Sequence, residues 1–598
     1  MTLSATGTSP ALGVPPSYQY QWYRNSAPIA GATGISYTTN VAGDYDVEAT
    51  NDVGCVVFSD NTLSLSQDPF DASQVAALWD THARRVLDAL GWQDQDLIHR
   101  TFTGGVNLAV SAPMDQLYSA IFAVQTAWHF CAAALLAAEP GDFDQMVADV
   151  KGVMAKEANP ALIALIAAAE AHGVDILCDD DEVSIGHGIG SQTWPVDALP
   201  APGNVSWPAL HNIPVAFITG TNGKTTTTRL LDAIARASGK VAGLTSTEFV
   251  RVGDDILDRG DYSGPGGGRM LLRDKRLEIA CLEVARGGIL RRGLPTRAAT
   301  AAVVTNVAND HLGQYGVNTV PELAQAKFAV NRTLAEGGVL ALNADDEYVR
   351  AEAENTSAEI WWFSLDAQND LIRQARDTGK CCAYVQHNDI VFFDGTAEQV
   401  VIAVSDVPLT MGGAAKYNIL NALAALCLAL ALGLPFQVLR DGLSGFKPDA
   451  KDNPGRCNEF RHNEARVFVD FAHNPHSIKA VCDALSHLPA KRRFIMLSHA
   501  GDRSDQDIRD VTATALNFQP DFIVAAELEG YLRGRELGEI PDLIEKTISD
   551  QGAYAKQVLR ASSPSQAASL ILEKLEPGDL ALLLVLSERD AVLAMLDK

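Results

Sequence analysis

The stretch FITGTNGKTTTTRLL, residues 217–231, constrains this chain more than any other. Apolar β-formers run into Gly220, two polar residues follow, and Gly223-Lys224-Thr225 opens a segment with Leu230, Leu231 and Ile234 at helical spacing. A strand, a glycine turn and a helix start in that order predict a parallel α/β sheet with a loop at a strand's carboxyl end. The glycines let the backbone turn tightly, the free N–H groups of the helix start point outward, and the helix dipole favours an anion. The cradle would comprise Gly220, Thr221, Asn222, Gly223, Lys224, Thr225 and Thr226. Lys224 adds a cation for the outer phosphates of a nucleotide, and Thr225 a hydroxyl for Mg²⁺. The spacing is compressed. An ordinary phosphate loop reads G-x-x-x-x-G-K-[ST], whereas only Thr221 and Asn222 intervene here. A tight turn with a chance lysine is the competing reading, and the surrounding strand and helix argue against it.

At 598 residues the chain is too long for one core, and its character changes along its length. Residues 1–68 are rich in Ser, Thr, Tyr and Gly, with short alternating segments that predict a small β-sandwich. Trp22 and the stretch AGDYDVEATN resemble the Ig-like modules of bacterial surface proteins, with Tyr45 as the corner tyrosine and Val47 where antibody domains carry cysteine. Residues 69–205 turn helical and end at the Pro/Gly-rich LPAPGNVSWP, an α+β domain. Between residues 206 and 446, VAFITG, VAGLTS, LEIACLEVA, TAAVVTNVA and GGVLALNA alternate with helical pieces, as in a doubly wound sheet. ARVFVDFA, RRFIMLSH, DFIVAAE and LALLLVL repeat that alternation in a second, Rossmann-like α/β domain over residues 447–598.

The formal charge of −27 argues against a nucleic-acid partner, which selects for a basic face. None of the nine cysteines forms a CxxC pair, which favours reduced, buried thiols. The start, MTLSATGTSPALG, has neither the basic nor the apolar region of a signal peptide. The longest apolar run, Ala422 to Leu432, is too short to span a bilayer and reads as a buried helix. The expectation is a cytoplasmic protein without nucleic-acid or membrane partners.

The compressed glycine spacing resembles the Mur ligase family, which includes the peptidoglycan amino-acid ligases, folylpolyglutamate synthase and the C-terminal half of cyanophycin synthetase. CLEVARGGILRRGL, TNVANDHLGQYG, ALNADDE, KYNILNALAALCLALALG, NPGRCNEF and VDFAHNPHSIKAV follow in that family's order over residues 206–598. DYSGPGGGRMLL, EVARGGILRRG and HAGDRSDQDIRD look most like the Mur half of cyanophycin synthetase, and APMDQLY and VSIGHGIGSQ resemble it more weakly. The ATP-grasp module that precedes that half in cyanophycin synthetase finds no room here, so one ligase activity at most is expected.

The resemblance implies ATP, two Mg²⁺ ions and an acyl-phosphate route, with Lys224, Lys327 and His311 as catalytic groups. Thr225 and Glu283, the latter closing the strand LEIACLE, are the implied ligands of the first ion, and His311 in NDHLG of the second. Several members carbamylate the lysine that matches Lys327 in AQAKFAV; here either that or a direct acyl-phosphate contact is open. Asn343 and Asn418 match positions near the adenine, while Arg456 and Asp470 would close over the nucleotide from the second domain. His473 and Asn474 would orient phosphate or substrate. Arg286 and Arg291, with the glycine-rich GDYSGPGGGR read as a mobile loop, make a candidate carboxylate-binding rim. Asp502, Arg503 and Asp505 offer both signs of charge, which suits a zwitterionic amino acid.

The expected activity is ADP-forming amide ligation of an amino acid to a carboxylate of an aspartyl or related peptide, by a protein that forms homo-oligomers only by family analogy. A folate-type glutamate ligase is the alternative that EVARGGILRRG and SGPGGGR disfavour. An amidotransferase-partnered ligase would carry a cysteine zinc ribbon between residues 206 and 446, where only Cys381 and Cys382 stand together. A non-catalytic scaffold is at odds with the joint presence of Lys224, Thr225, Glu283, His311 and Asp470.

Overall fold

The computed structural model describes residues 71–102, 105–552 and 557–596, together with six short strands before residue 71. Among those strands Gln19–Arg24 pairs antiparallel with Tyr45–Thr50. The expected sandwich, with Trp22 in its core and Tyr45 at its corner, lies outside the described residues. The chain divides into two compact units, residues 1–158 and 159–598.

In the first unit, helix Ala72–Leu90 starts where the Asp71 side chain accepts from the Gln74 N–H and stops at Gly91, which takes the left-handed conformation. Trp79, Ala83, Val86 and Leu87 recur at helical spacing and pack against Ala123, Ala127 and Cys131 of Leu117–Leu135 and Val147 and Val150 of Phe143–Glu157. A hairpin of Leu97–Phe102 and Gly105–Val110 completes the α+β unit.

The second unit is built on an 11-stranded sheet. Its middle is parallel, in the order Ala242–Thr245, Ile279–Glu283, Val215–Thr219, Ala299–Val304, Leu334–Asn343, Glu359–Ser364 and Cys382–Gln386. Antiparallel strands extend both edges. Val215–Thr219 reads as a continuous apolar run because both of its faces are covered. Ala216 and Ile218 pack with Leu230, Leu231, Ile234 and the helix Lys416–Ala431 on one side, and Val215 and Phe217 with Leu282, Val304 and Leu323 on the other. Ala422 to Ala429 are all buried in that helix, as the length of the apolar run predicts. No single helix among the described residues is long and apolar enough to cross a membrane.

A three-stranded antiparallel sheet of Ile176–Cys178, Glu182–Ile185 and Gln192–Pro195 docks beside this core. Arg273 Nε donates to Ser184 Oγ at 2.8 Å, and buried His187 meets Asp175 at 3.1 Å. Residues 458–584 contribute a six-stranded sheet in the order Asn458–His462, Ala465–Asp470, Leu580–Leu584, Arg493–Leu497, Phe522–Ala526 and Gln557–Ala561, parallel except for its first strand. The α/β architecture expected from the two series of alternating strands is therefore the one observed.

One local expectation is overturned. Pro265–Leu272, within the glycine-rich GDYSGPGGGRMLL, is an α-helix, not a mobile loop. Pro265 sits in its first turn, where proline costs nothing. A Cβ on Gly267 would stand 2.7 Å from Tyr262 Cβ, and one on Gly268 2.6 Å from Pro295 Cβ. The glycines serve close packing of this helix, and tertiary contact overrides the roughly 1 kcal/mol that each costs in helix propensity.

Candidate active site

The glycine loop leaves Thr219 at the carboxyl end of a central strand, beside the ends of Ile279–Glu283 and Ala299–Val304. Its glycines are demanded by the backbone. Gly220 and Gly223 have φ of 146° and 85°, and an added Cβ would lie 1.9 Å from Thr305 Oγ1 and 2.2 Å from Asn421 Oδ1. The loop is stapled to the neighbouring strand end. Thr221 N–H donates to Asn306 O at 2.8 Å, Asn222 N–H to Asn306 Oδ1 at 2.9 Å, and Thr305 Oγ1 to Asn222 O at 2.7 Å. Helix Lys224–Ala237 then begins at Gly223 with no side-chain cap, which leaves its first N–H groups for an anion.

Lys224 and Lys327 converge on one carbonyl. Lys224 Nζ donates to Gly220 O at 3.1 Å and Thr221 O at 3.0 Å, and Lys327 Nζ to Gly220 O at 2.8 Å. Lys327 is buried, and burial together with the Lys224 charge pushes its ammonium well below the usual lysine range.

Thr225 Oγ1 donates to Glu283 Oε1 at 3.2 Å, and Arg456 Nη2 reaches Thr225 Oγ1 at 3.4 Å from the far side of the interdomain seam. Glu283 is 1% exposed, its Oε2 has no hydrogen-bond partner, and burial raises its carboxyl above the ordinary range against the pull of Lys224 and Arg456. A buried carboxylate oxygen left without a donor, next to a threonine hydroxyl, fits a divalent cation.

A second corner forms around Asp310, which the sequence reading missed although it adjoins His311 in NDHLG. Arg503 Nη1 lies 2.9 Å from Asp310 Oδ1, and Arg503 Nη2 donates to His311 Nε2 at 3.1 Å. His473 Nε2 stands 3.7 Å from Asp310 Oδ2. Burial alone would raise the Asp310 carboxyl; His473, His311 and Arg503 together hold it far below the carboxylate range. His311 is pushed down to about 4, first by burial and then by Arg503, so its imidazole is neutral at pH 7. Its φ of 54° shows the tight turn that sets it there. Ligand atoms of Asp310, His311 and His473 lie within 4.8 Å of one another, a grouping that could hold a metal ion.

The remaining expected residues land in different settings. Asn343 Nδ2 donates to Thr305 O at 2.9 Å and so braces the strand ends beneath the loop. Asn418 Nδ2 donates to Leu409 O, and its Oδ1 accepts from Asn421. Asp470 is buried, accepts the Ala472 N–H at 2.7 Å and is pushed up to about 6, chiefly by burial. Asn474 caps helix Pro475–Ser486 and exchanges amide hydrogen bonds with Asn222 at 3.0 and 3.3 Å, carrying the second domain onto the glycine loop.

The carboxylate rim departs from expectation. Arg286 is buried, with its guanidinium tied to His311 O and Gln314 Oε1, while Arg291 stacks over Tyr315 at 5.6 Å. Asp502 and Asp505 turn away to Arg533 and Arg535, and only Arg503 of that stretch reaches the corner. His476, 3.0 Å from Asn222 Nδ2, and buried His499, held down to about 3 by burial and Arg503, were also missed. Each lies two to four residues from a residue the motifs singled out, and that proximity is the signal that could have found them.

Comparison with known proteins gives this geometry a setting. Residues 218–429 match the Mur ligase middle domain, and residues 455–584 match the Mur ligase glutamate ligase domain. The chain is 38% identical over 337 residues to cyanophycin synthetase of Nostoc sp., covering 56% of this chain and 37% of that protein. Cyanophycin synthetase of Synechocystis sp. is 36% identical over 383 residues, 62% of this chain and 43% of that protein. UDP-N-acetylmuramoyl-L-alanyl-D-glutamate–2,6-diaminopimelate ligase of Bacillus velezensis is 25% identical over 299 residues, 48% and 57% of the two chains. The chain spans less than half the length of the cyanophycin synthetases it matches. With both domain matches in order, together taking in more than half of its residues, the chain belongs to the Mur ligase family.

Proposed function

We propose that this protein is an ATP-dependent, ADP-forming amide ligase that joins an amino acid to a carboxylate of an aspartyl or related peptide. The observation that carries this reading is the meeting of Thr225, Glu283 and Arg456 at the mouth of the glycine loop. Residues 206–446 would bind the nucleotide and residues 447–598 would close over it. The loop N–H groups and Lys224 hold the outer phosphates of ATP, and Arg456 approaches from the opposite side. Thr225 and Glu283 are the residues that would hold Mg²⁺, and His311 with Asp310 and His473 those that would hold a second ion. Such ions, when bound, neutralise charge on the transferring phosphoryl oxygens.

The acceptor carboxylate attacks the γ-phosphorus and the bond to ADP breaks. The amine of the incoming amino acid then attacks the acyl carbon, loses a proton and expels inorganic phosphate. Arg503, freed from Asp310 and His311, suits the carboxylate of that amino acid. Lys327 serves either carbamylated, as a ligand, or as a direct contact to the acyl phosphate. The seam made by Asn222, Asn474 and Arg456 keeps water from a hydrolysable intermediate. The substrates are small molecules or peptides in the cytoplasm.

The test is incubation with ATP, Mg²⁺ and a panel of amino acids and β-aspartyl peptides, reading nucleotide products and product mass. ADP, phosphate and a new amide in equal amounts support the reading. AMP with pyrophosphate, or hydrolysis indifferent to every amine, would overturn it.

A further inference from the structure

Behind the glycine loop, two arginines clasp one carboxylate that no catalytic motif includes. Glu248 follows strand Ala242–Thr245 in the stretch TSTEF. Its Oε2 lies 2.7 Å from Arg229 Nη2, and its Oε1 2.5 Å from Arg589 Nη1. Arg229 stands on the glycine-loop helix, one turn beyond Thr225, and is 4% exposed. Arg589 opens helix Arg589–Leu596 at the far end of the second domain. Burial alone would raise the Glu248 carboxyl, yet Arg229, Arg589 and more distant Arg456 hold it below its ordinary range. Among the described residues, the other carboxylate that Arg589 meets is exposed Asp590, at 3.5 Å.

The linker between the domains is fastened at the same place. Asn453 Nδ2 donates to Thr226 Oγ1 at 3.2 Å, and its Oδ1 accepts from Arg229 at 3.5 Å. Asn458 holds Asn453 O at 2.9 Å and the Gly455 N–H at 2.6 Å. Gly455 has a φ of 69°, and a Cβ there would stand 2.6 Å from Arg589 Cδ, so the linker, Arg589 and Glu248 form one packed unit. Arg456, which reaches Thr225, is the next residue.

We propose that Glu248 is a positioning residue that latches the second domain closed through Arg589 and, from behind the loop, sets Arg456 against Thr225. Removing its charge leaves Arg229, Arg456 and Arg589 to repel one another across the seam. Like charges gathered in a partly buried site cost far more than in water, so the open arrangement gains population. The inference rests on the ligase reading for its effect on turnover; its effect on closure does not.

The test uses the full chain with Glu248→Gln, Arg589→Met and the double variant. Small-angle scattering of the nucleotide-free proteins should give a larger radius of gyration for each single variant than for wild type, and no further increase in the double. Turnover should fall about tenfold to a hundredfold, as expected for loss of positioning at a distance. Nucleotide affinity, set by the loop itself, should stay within about threefold, and the double variant should be no slower than Glu248→Gln. If Glu248→Gln does not fold, Arg589→Met, whose side chain is 26% exposed, carries the comparison. An unchanged radius, or independent additive losses in the double variant, would overturn the latch. If the wild type proves to have no ligase activity, scattering alone still decides whether the latch exists.

Discussion

The glycine loop and the Asp310 corner follow neighbouring strands of one sheet but are held by different forces. The loop is fixed by neutral hydrogen bonds, chiefly to Thr305 and Asn306 at the adjoining strand end of the same domain, with Asn474 and His476 of the second domain adding bonds to Asn222. The corner is fixed by charge: Arg503 and His473 come from the second domain and meet Asp310 and His311 of the first. Most of the loop's hydrogen bonds come from its own domain. The corner needs both domains in contact. On the proposed function, the loop would then be ready for phosphate before the residues around Arg503 are brought together.

The sharpest way to break the comparison is at Lys224. Its ammonium makes two hydrogen bonds to loop carbonyls that water can replace, so Lys224→Ala should cost about 1 kcal/mol or less in stability. Turnover should fall by about a thousandfold or more, since cationic stabilisation of the transferring phosphoryl group is lost. Steady-state kinetics beside a melting curve checks both halves. A folded variant within a few-fold of wild type would remove the loop from catalysis.

Arg503→Ala probes the corner. Loss of a charged hydrogen-bonding partner is worth about 1.5–3 kcal/mol, so the KM for the amine substrate should rise about tenfold to a hundredfold. The KM for ATP should hardly change, because the loop does not depend on this arginine. Equal increases in both would mean that the two regions are not separable.

Asp470 gives a smaller effect of opposite sign on stability. Its folded pKa of about 6 lies above that of an unfolded aspartate, so the folded state holds its proton more tightly. Stability from this group is full below pH 4 and is lost as pH rises to about 6 and beyond. Asp470→Asn keeps an acceptor for the Ala472 N–H and removes the buried charge, so it should stabilise the protein at pH 7.5 by about 1–3 kcal/mol while slowing turnover. Denaturant titrations at pH 4 and 7.5 read the difference; a variant less stable at pH 7.5 would contradict it.

The smallest effect is expected from deleting residues 1–68, which contain none of the site residues and should leave turnover within about twofold, as initial rates per folded protein would reveal. A large loss at unchanged solubility would tie that segment to the assembly of the cleft.

The same contrast explains what could be read in the chain. Val215–Thr219, the glycine turn and Leu230, Leu231 and Ile234 form one local pattern, so both loop and sheet are legible from contiguous residues. Lys327, Glu283 and His311 were reachable because each sits in a recognisable motif at a strand end or on a helix. Asp310 and His476 sit inside such motifs, but their contacts are with partners far along the chain, and no periodicity encodes that. Glu248 and Arg589 stand 341 residues apart in the chain, and each alone reads as a solvated charge. Pro265–Leu272 was misread because glycine is scored by its freedom in an open chain, while here Tyr262 and Pro295 press on it.

The central claim is an acyl phosphate made from ATP at the glycine loop, and isotope transfer tests it most directly. With a carboxylate substrate labelled with ¹⁸O and the matching amine, the account predicts one labelled oxygen in the inorganic phosphate released with ADP. Label found in AMP, or phosphate without label alongside a new amide, would contradict it.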